Sequence, residues 1–263
     1  MSSGGSSLAD PSLSVVIPMF RTAAHLPELL QRLDRSVPHA EVVLVDDHCP
    51  ERSGQRALSL YPGSLRVVVR HLSVNVGQHA AVHYGLAAAT GPVVAVMDAD
   101  LQDRPEALAE LLAALAAHPE ADVVCAARTG HHSSLGRERT ARAYRATARV
   151  LSRGRIPPGA AMFLVAHRHA VDAVRTLDDP MAPLVPAFAA AGQHLVAVPL
   201  HRDPRREGRS GHRGSDRLRI AARGLATLTP ARRLVAARHR RSMAASAVEI
   251  TDCPLPHAQE PLR

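Results

Sequence analysis

Hydrophobic positions along this chain alternate between two periods. Leu13 to Pro18 is an unbroken apolar run closed by a proline, the pattern of a strand buried on both faces of a parallel sheet. From His25 to Leu33 the period lengthens: Leu26, Leu29, Leu30 and Leu33 recur at helical spacing, and Pro27 falls in the first turn, where no N–H is required. Glu41 to Val45 is a second buried strand that runs directly into Asp46 and Asp47, and a helix is expected around Gly54 to Tyr61. The alternation continues with a strand at Leu65 to Arg70, then a helix at Gln78 to Ala89 bounded by Gly77 and by Gly91-Pro92. Val93 to Met97 reads as a strand, Pro105 to Ala117 as a helix, and Ala121 to Ala126 as a strand. This order predicts an α/β fold: right-handed crossovers, a Rossmann-like, mostly parallel sheet flanked by helices, and ligands gathered at the carboxyl ends of the strands.

Beyond Ala127 the pattern loosens. A basic helix is expected over Arg137 to Arg153, a strand over Ala161 to Ala166, a helix over His169 to Leu177 and a strand over Leu195 to Leu200. Residues 202–219 are rich in Arg and Gly and read as a mobile basic loop. Leu218 to Arg241 reads as an Arg-studded amphipathic helix, or a helix pair divided at Pro230. The expected division is a disordered leader at 1–12, one α/β domain at 13–215, a basic amphipathic helical extension at 216–242 and a disordered tail at 243–263.

Composition narrows the functional classes. Aromatic residues make up 2% and Trp is absent, so Ala, Val and Leu must fill the interior. The formal net charge is +8, which suits an anionic partner; yet the chain has no Lys, and its wealth of Ala, Arg, Gly and Pro is equally what a GC-rich coding sequence produces. Only local Arg clusters therefore carry weight. The three Phe and three Tyr are scattered rather than interleaved with the basic residues, which argues against nucleic acid bound by base stacking. Cys49, Cys125 and Cys253 are odd in number and widely spaced, as expected of reduced thiols in a cytoplasmic protein. The first residues lack the basic and apolar regions of a signal peptide, and no apolar window reaches the ~18 residues of a membrane span.

The most informative residues are carboxylates at the ends of buried strands, because a charge beside a desolvated core needs solvent, a metal or a donor-bearing ligand. Asp98 and Asp100 are two residues apart, so in extended backbone both project to one side while Ala99 projects to the other. With Gln102 as a third oxygen donor they suit a hard ion such as Mg2+ or Mn2+; acids that merely cap the following helix would look the same. Asp46 and Asp47 carry the same two readings. The sixteen histidines include pairs such as His79 with His83 and His167 with His169, which read as chance pairs, and no HExxH, GxSxG or Walker loop occurs.

The segments VVIPMF at 15–20, EVVLVDD at 41–47, NVGQHAAVHYGLAAATG at 75–91 and VVAVMDADLQDRPEAL at 93–108 resemble, in order and spacing, the blocks of family 2 glycosyltransferases with the GT-A fold. The polyprenyl-phosphate sugar synthase branch, which includes dolichyl-phosphate mannose synthases, is the most similar. The resemblance covers residues 13 to about 128 well and the rest in patches. It implies that Pro18, Asp46 and Asp47 hold the base and ribose of a nucleotide-sugar, that Gly77 permits close approach beneath it, that Asp98 faces the ribose or metal, and that Asp100 and Gln102 lie on the metal. Arg128 matches a phosphate-contacting Arg. Arg205 and Ser210 fit the family's R-x-x-G-x-S motif, whose loop closes on the donor diphosphate or acceptor phosphate. Asp100 and Arg205 are the residues to which the resemblance assigns catalysis.

Several positions depart from the family. His48-Cys49-Pro50 replaces its Gly-Ser turn, and Phe20-Arg21-Thr22 stands where an aromatic-Asn-Glu is expected. Its G-D-F-R-L block aligns with Ala161 to Val165, which puts Met162 in place of an Asp and Leu164 in place of an Arg. A general base is worth roughly 10²- to 10⁴-fold for a hydroxyl acceptor, but a phosphate oxygen is already anionic, so this loss suits a phosphate acceptor better. The resemblance implies an inverting transfer from a nucleotide-diphosphate sugar to a polyprenyl phosphate or related lipid-linked acceptor. The expected location is cytoplasmic, peripheral on the inner face of the cell membrane, with Leu218 to Arg241 against anionic lipid. A soluble transferase acting on a specialised small molecule or glycolipid intermediate, and a catalytically silent nucleotide-sugar binding protein, are the alternatives.

Overall fold

The structure is a computed structural model and describes residues 11–50, 63–128, 135–201, 214–245 and 249–254. Among the described residues eight strands form one sheet: β1 (Leu13–Met19), β2 (Glu41–Asp46), β3 (Arg66–Leu72), β4 (Val93–Val96), β5 (Val123–Arg128), β6 (Ala160–His167), β7 (Leu195–Leu200) and β8 (Ile250–Pro254). Their spatial order is β7-β5-β6-β4-β1-β2-β3-β8. Only β6 and β8 run against the others, so the sheet is mostly parallel as the alternation of elements predicts.

All seven residues of β1 are buried because helices cover both faces of the sheet. Val15, Ile17 and Met19 enter one core with Leu26, Leu29, Leu30 and Leu33 of α1 (Leu26–Ser36) and Leu108, Leu111 and Leu115 of α3 (Ala107–Ala117). Val16 points the other way and joins Val43, Val45 and Leu86 of α2 (Gln78–Ala88). Gly85 makes that contact close: a Cβ there would run into the side chains of Val16 and Val45. On the same side lie α5 (Arg168–Arg175) and α6 (Leu184–Ala190), with Val171 and Phe188 fully buried. Cys125 sits in the middle of β5, wholly enclosed, and burial pushes its thiol up to about 12.

The amino ends of β1 and β2 hold a closed polar cluster. Glu41 is 2% exposed and its carboxylate accepts from Ser14 Oγ (2.5 Å), Thr90 N (2.7 Å) and Thr90 Oγ1 (3.0 Å). Ser14 Oγ in turn accepts from Gly91 N at 2.7 Å.

In the second half, α4 (Leu135–Leu151) packs on α7 (Gly214–Thr227), which packs on α8 (Arg232–Ala245). The break around Pro230 resolves the Leu218 to Arg241 segment as a helix pair. His239 of α8 is held by Asp179 at 2.7 Å, and Arg240 pairs with Asp178 at 2.7 Å. Two elements were not expected. Helix α6 is one, and the other is β8, which lies in the tail read as disordered. Strand β8 pairs with β3, and Arg70 grips Asp252 through Nε (2.8 Å) and Nη2 (2.7 Å). The expected helix at 54–61 lies outside the described residues. No helix among the described residues is long and apolar enough to cross a membrane.

Candidate active site

Strands β4, β1 and β2 are parallel neighbours, so Asp98, Phe20 and the Asp46-Asp47 pair emerge side by side at one edge of the sheet. The chain leaves each strand through a residue in the left-handed region: Arg21 (φ 55°), His48 (φ 54°) and Leu101 (φ 59°). These conformations are uncommon for residues with a side chain and hold the loops away from continued extension. Two contacts join the first two loops: Asp47 N donates to Met19 O at 3.1 Å, and Arg21 N donates to Cys49 Sγ at 3.1 Å.

Asp46 and Asp47 are each 3% exposed. Asp46 Oδ1 accepts from Cys49 N at 2.8 Å, and Asp46 Oδ2 stands 3.2 Å from His71 Nδ1 at the end of β3. Asp47 reaches across to the entry of α2, accepting from Val76 N (2.6 Å) and Gly77 N (2.9 Å), while its carbonyl accepts from Asn75 Nδ2 (3.0 Å). Burial raises the Asp47 pKa, and the two backbone N–H groups oppose that rise. Both carboxylates thus shape this edge of the fold. Gly77 adopts φ 88°, a conformation that suits glycine, where the chain turns into α2.

Beyond β4, Asp98, Asp100 and Gln102 are partly exposed whereas Ala99, Leu101 and Asp103 are buried. The predicted alternation therefore survives, although the backbone turns after Val96 and is no longer a strand. Gln78, in the first turn of α2, donates from Nε2 to Asp98 Oδ1 at 2.6 Å. Gln102 donates to Asp100 twice, from its backbone N to Oδ1 (3.1 Å) and from Nε2 to Oδ2 (2.6 Å). The Gln102 amide nitrogen thus steadies Asp100. Among the described residues, no group of three or more His, Cys, Asp and Glu side chains could hold a metal unaided. Two partly exposed carboxylates nevertheless fit a hard divalent ion whose other ligands are water and diphosphate oxygens.

The remaining expected residues are placed as follows. Pro18 is buried in β1 beside Val45. Arg128 ends β5, opposite Leu200 of β7. Arg205 and Ser210 lie outside the described residues. The β4–β6 register ends at Val96 paired with Leu164, two residues short of Asp98 on one strand and of Met162 on the other. The departure at Met162 thus falls beside the acidic strand end, and Met162 packs against the core. Sequence reasoning assigned no role to Gln78 or His71; the signals were their places just after Gly77 and at the end of a buried strand.

The glycosyl transferase family 2 model matches residues 14–173. An undecaprenyl-phosphate 4-deoxy-4-formamido-L-arabinose transferase of Edwardsiella ictaluri is 39% identical over 136 residues, covering 49% of this chain and 41% of that protein. The chain spans less than two thirds of the length of the curated relatives it matches. Among solved structures, glucosyl-3-phosphoglycerate synthase of Mycobacterium tuberculosis, in complex with Mn2+, UDP and glucosyl-3-phosphoglycerate, superposes with a TM-score of 0.58 at 20% identity. That match covers 84% of this chain and 79% of the other. A mannosyltransferase of Pyrobaculum calidifontis, in complex with GDP-Man and Mn2+, gives 0.52 at 18% identity and covers 90% of this chain and 76% of the other. Both share the GT-A architecture described above, and with the family model spanning β1 to α5, the chain belongs to glycosyl transferase family 2.

Proposed function

We propose that the protein transfers a sugar from a nucleoside-diphosphate donor to the phosphate of a polyprenyl or related lipid-linked acceptor, with inversion at the anomeric carbon. The observation that carries this reading is the pair Asp98 and Asp100, partly exposed and hydrogen-bonded by Gln78 and Gln102 at the carboxyl edge of a family 2 domain. The relatives named for undecaprenyl-phosphate transfer support the acceptor class.

In this reading Asp98 and Asp100 hold Mg2+ or Mn2+, which when bound would offset charge on the departing nucleoside diphosphate. Gln78 and Gln102 fix the orientation of the two carboxylates. Pro18, Asp46, Asp47 and Gly77 shape the floor on which the nucleoside rests. Arg128, Arg205 and Ser210 contact phosphate, and the Arg205 guanidinium assists departure of the diphosphate. With Met162 at the acceptor side, positioning of an already anionic phosphate replaces deprotonation of a hydroxyl.

The helix pair α7–α8 supplies the membrane contact. Between Leu218 and Arg241 there are seven Arg and no Asp or Glu, and Leu218 and Leu234 are among the exposed large hydrophobics. That combination suits the inner, anionic leaflet of the cell membrane and peripheral attachment from the cytoplasm.

The test is transfer of labelled sugar from a panel of nucleotide-sugars to undecaprenyl phosphate in vesicles, with Mn2+ or Mg2+ and with chelator. Metal-dependent formation of a lipid-linked sugar, absent in Asp100→Ala, is the expected result. Donor binding without transfer to any acceptor would instead establish the second reading that Met162 favours, a nucleotide-sugar binding protein without turnover.

A further inference from the structure

We infer that strand β8 is a positioning strap for the donor site: clasped by Asp252 on Arg70, it sets the placement of Gln78 and through it the Asp98 carboxylate. The inference rests on the donor reading above. It adds a part of the chain that lies beyond residues 14–173, the stretch the family model matches.

Without β8, β3 would be the outer strand on its side of the sheet among the described residues, with a row of N–H and C=O groups left open. Strand β8 fills that row as far as Leu72, which pairs with Ile250. The pairing then continues past the end of β3: Ser73 N donates to Glu249 O at 3.1 Å, and Glu249 N donates to Ser73 Oγ at 2.8 Å. From Ser73 the chain runs into Asn75, Val76 and Gly77, which donate to Asp47, and then into Gln78, which donates to Asp98. The tail therefore clasps the same short segment that carries the amide orienting a candidate metal ligand.

Arg70 holds the strap in register. It donates from Nε (2.8 Å) and Nη2 (2.7 Å) to Asp252, directly opposite on β8, while Nη1 donates to Tyr84 O of α2 at 3.0 Å. One side chain thus ties the tail to the helix whose first turn contains Gln78. The planar guanidinium makes all three contacts at once; an ammonium is a single point on a flexible stem and would not. Hydrogen bonds from Arg70 hold the Asp252 carboxyl below its ordinary range, so the pair is charged at neutral pH. The Asp252 side chain is 43% exposed, and a pair open to solvent adds little to the stability of the whole fold. Its effect falls on the segment it clasps.

The experiment compares full-length wild type with Asp252→Ala, Asp252→Glu and Arg70→Lys. Asp122→Ala serves as the control: Asp122 accepts from His169 Nε2 and His194 N at the amino edge of the sheet, away from the site. Amide hydrogen exchange is followed by mass spectrometry, and UDP, dTDP, CDP, GDP and ADP are titrated calorimetrically with Mn2+ and with EDTA. In Asp252→Ala and Arg70→Lys, peptides covering residues 73–78 should exchange faster while the melting temperature stays close to wild type. Affinity for the nucleotide that wild type binds should fall about 3- to 10-fold with Mn2+, less than the ~10- to 100-fold typical of a group bonded directly to a metal ligand. With EDTA the fall should be small, because Gln78 acts on the metal-binding acid. Asp252→Glu should recover most of the affinity, and Asp122→Ala should change neither quantity. Arg70→Lys keeps the test open if Asp252→Ala fails to fold.

Exchange and affinity at wild-type values in both strap variants, or a loss equal with Mn2+ and with EDTA, overturns the inference and leaves the donor reading standing. Wild-type protein that melts cooperatively yet binds none of the five nucleotides overturns the donor reading, and the inference with it.

Discussion

Carboxylates stand at both ends of the central strands, and the two ends treat them differently. At the amino edge Glu41 is enclosed, with Ser14 and Thr90 donating to it. At the carboxyl edge Asp98 and Asp100 are oriented by two glutamines yet remain partly exposed. A buried acid whose acceptors are filled from within the fold contributes to stability; one that is held in place and still meets solvent can be reached by a ligand. Asp46 and Asp47 belong to the carboxyl edge by position and to the Glu41 class by environment.

That contrast can be tested by substitution. The largest effect is expected for Asp100→Ala, which should lower metal-dependent transfer at least about 10²-fold. Its unfolding free energy should stay within about 0.5 kcal/mol of wild type. A fall in stability with activity intact would place Asp100 with the structural acids. Glu41→Ala should do the reverse. Ser14 and Thr90 lose their acceptor, and urea unfolding should show a loss of about 1–3 kcal/mol with donor affinity little changed.

Asp47→Asn divides the two classes most sharply. An amide presents only one acceptor to the N–H groups of Val76 and Gly77, so stability should fall by about 1–2 kcal/mol, with donor affinity declining through displacement of the α2 entry. Unchanged melting together with abolished nucleotide binding would move Asp47 into the ligand-binding class.

An exposed acid sets the lower end of the scale. Glu106, at the start of α3, receives Arg32 Nε and Nη2 at 2.8 and 2.6 Å, but its side chain is 49% exposed, so solvent screening limits the pair to about 0–1 kcal/mol. The hydrogen bond from Arg32 holds the Glu106 pKa below its ordinary 4.5. The stabilisation is therefore present above pH 4.5 and lost as pH falls through the lower folded value. Melting curves of Glu106→Gln and wild type should differ slightly at neutral pH and converge in acid.

Most of the sheet was legible because the strands of a two-sided core carry continuous apolar runs, as in Val42 to Val45 and Val93 to Val96. Helix α1 was legible from four leucines on one face. What escaped depended on partners far along the chain. Helix α6 was not anticipated in a stretch carrying Pro183 and Pro186, yet they fall at its N-cap and in its first turn, where no N–H is needed. Strand β8 has little apolar content of its own and is a strand because β3 offers an edge and Arg70 a partner for Asp252. At the site, the acids were visible in the sequence. Which of them were already occupied was not, because the groups that fill Asp47 lie twenty-nine and thirty residues away.

The enclosure of Cys125 gives the molecule an internal clock. Alkylation requires the thiolate, and a thiol held up to about 12 in the centre of β5 will react only when the sheet opens around it. The rate at which peptides containing Cys125 acquire label, followed by mass spectrometry apart from those containing Cys49 or Cys253, would time that opening. Repeated with nucleotide and metal present, the same measurement would report how far a ligand bound at one edge of the sheet slows the unlocking of its middle.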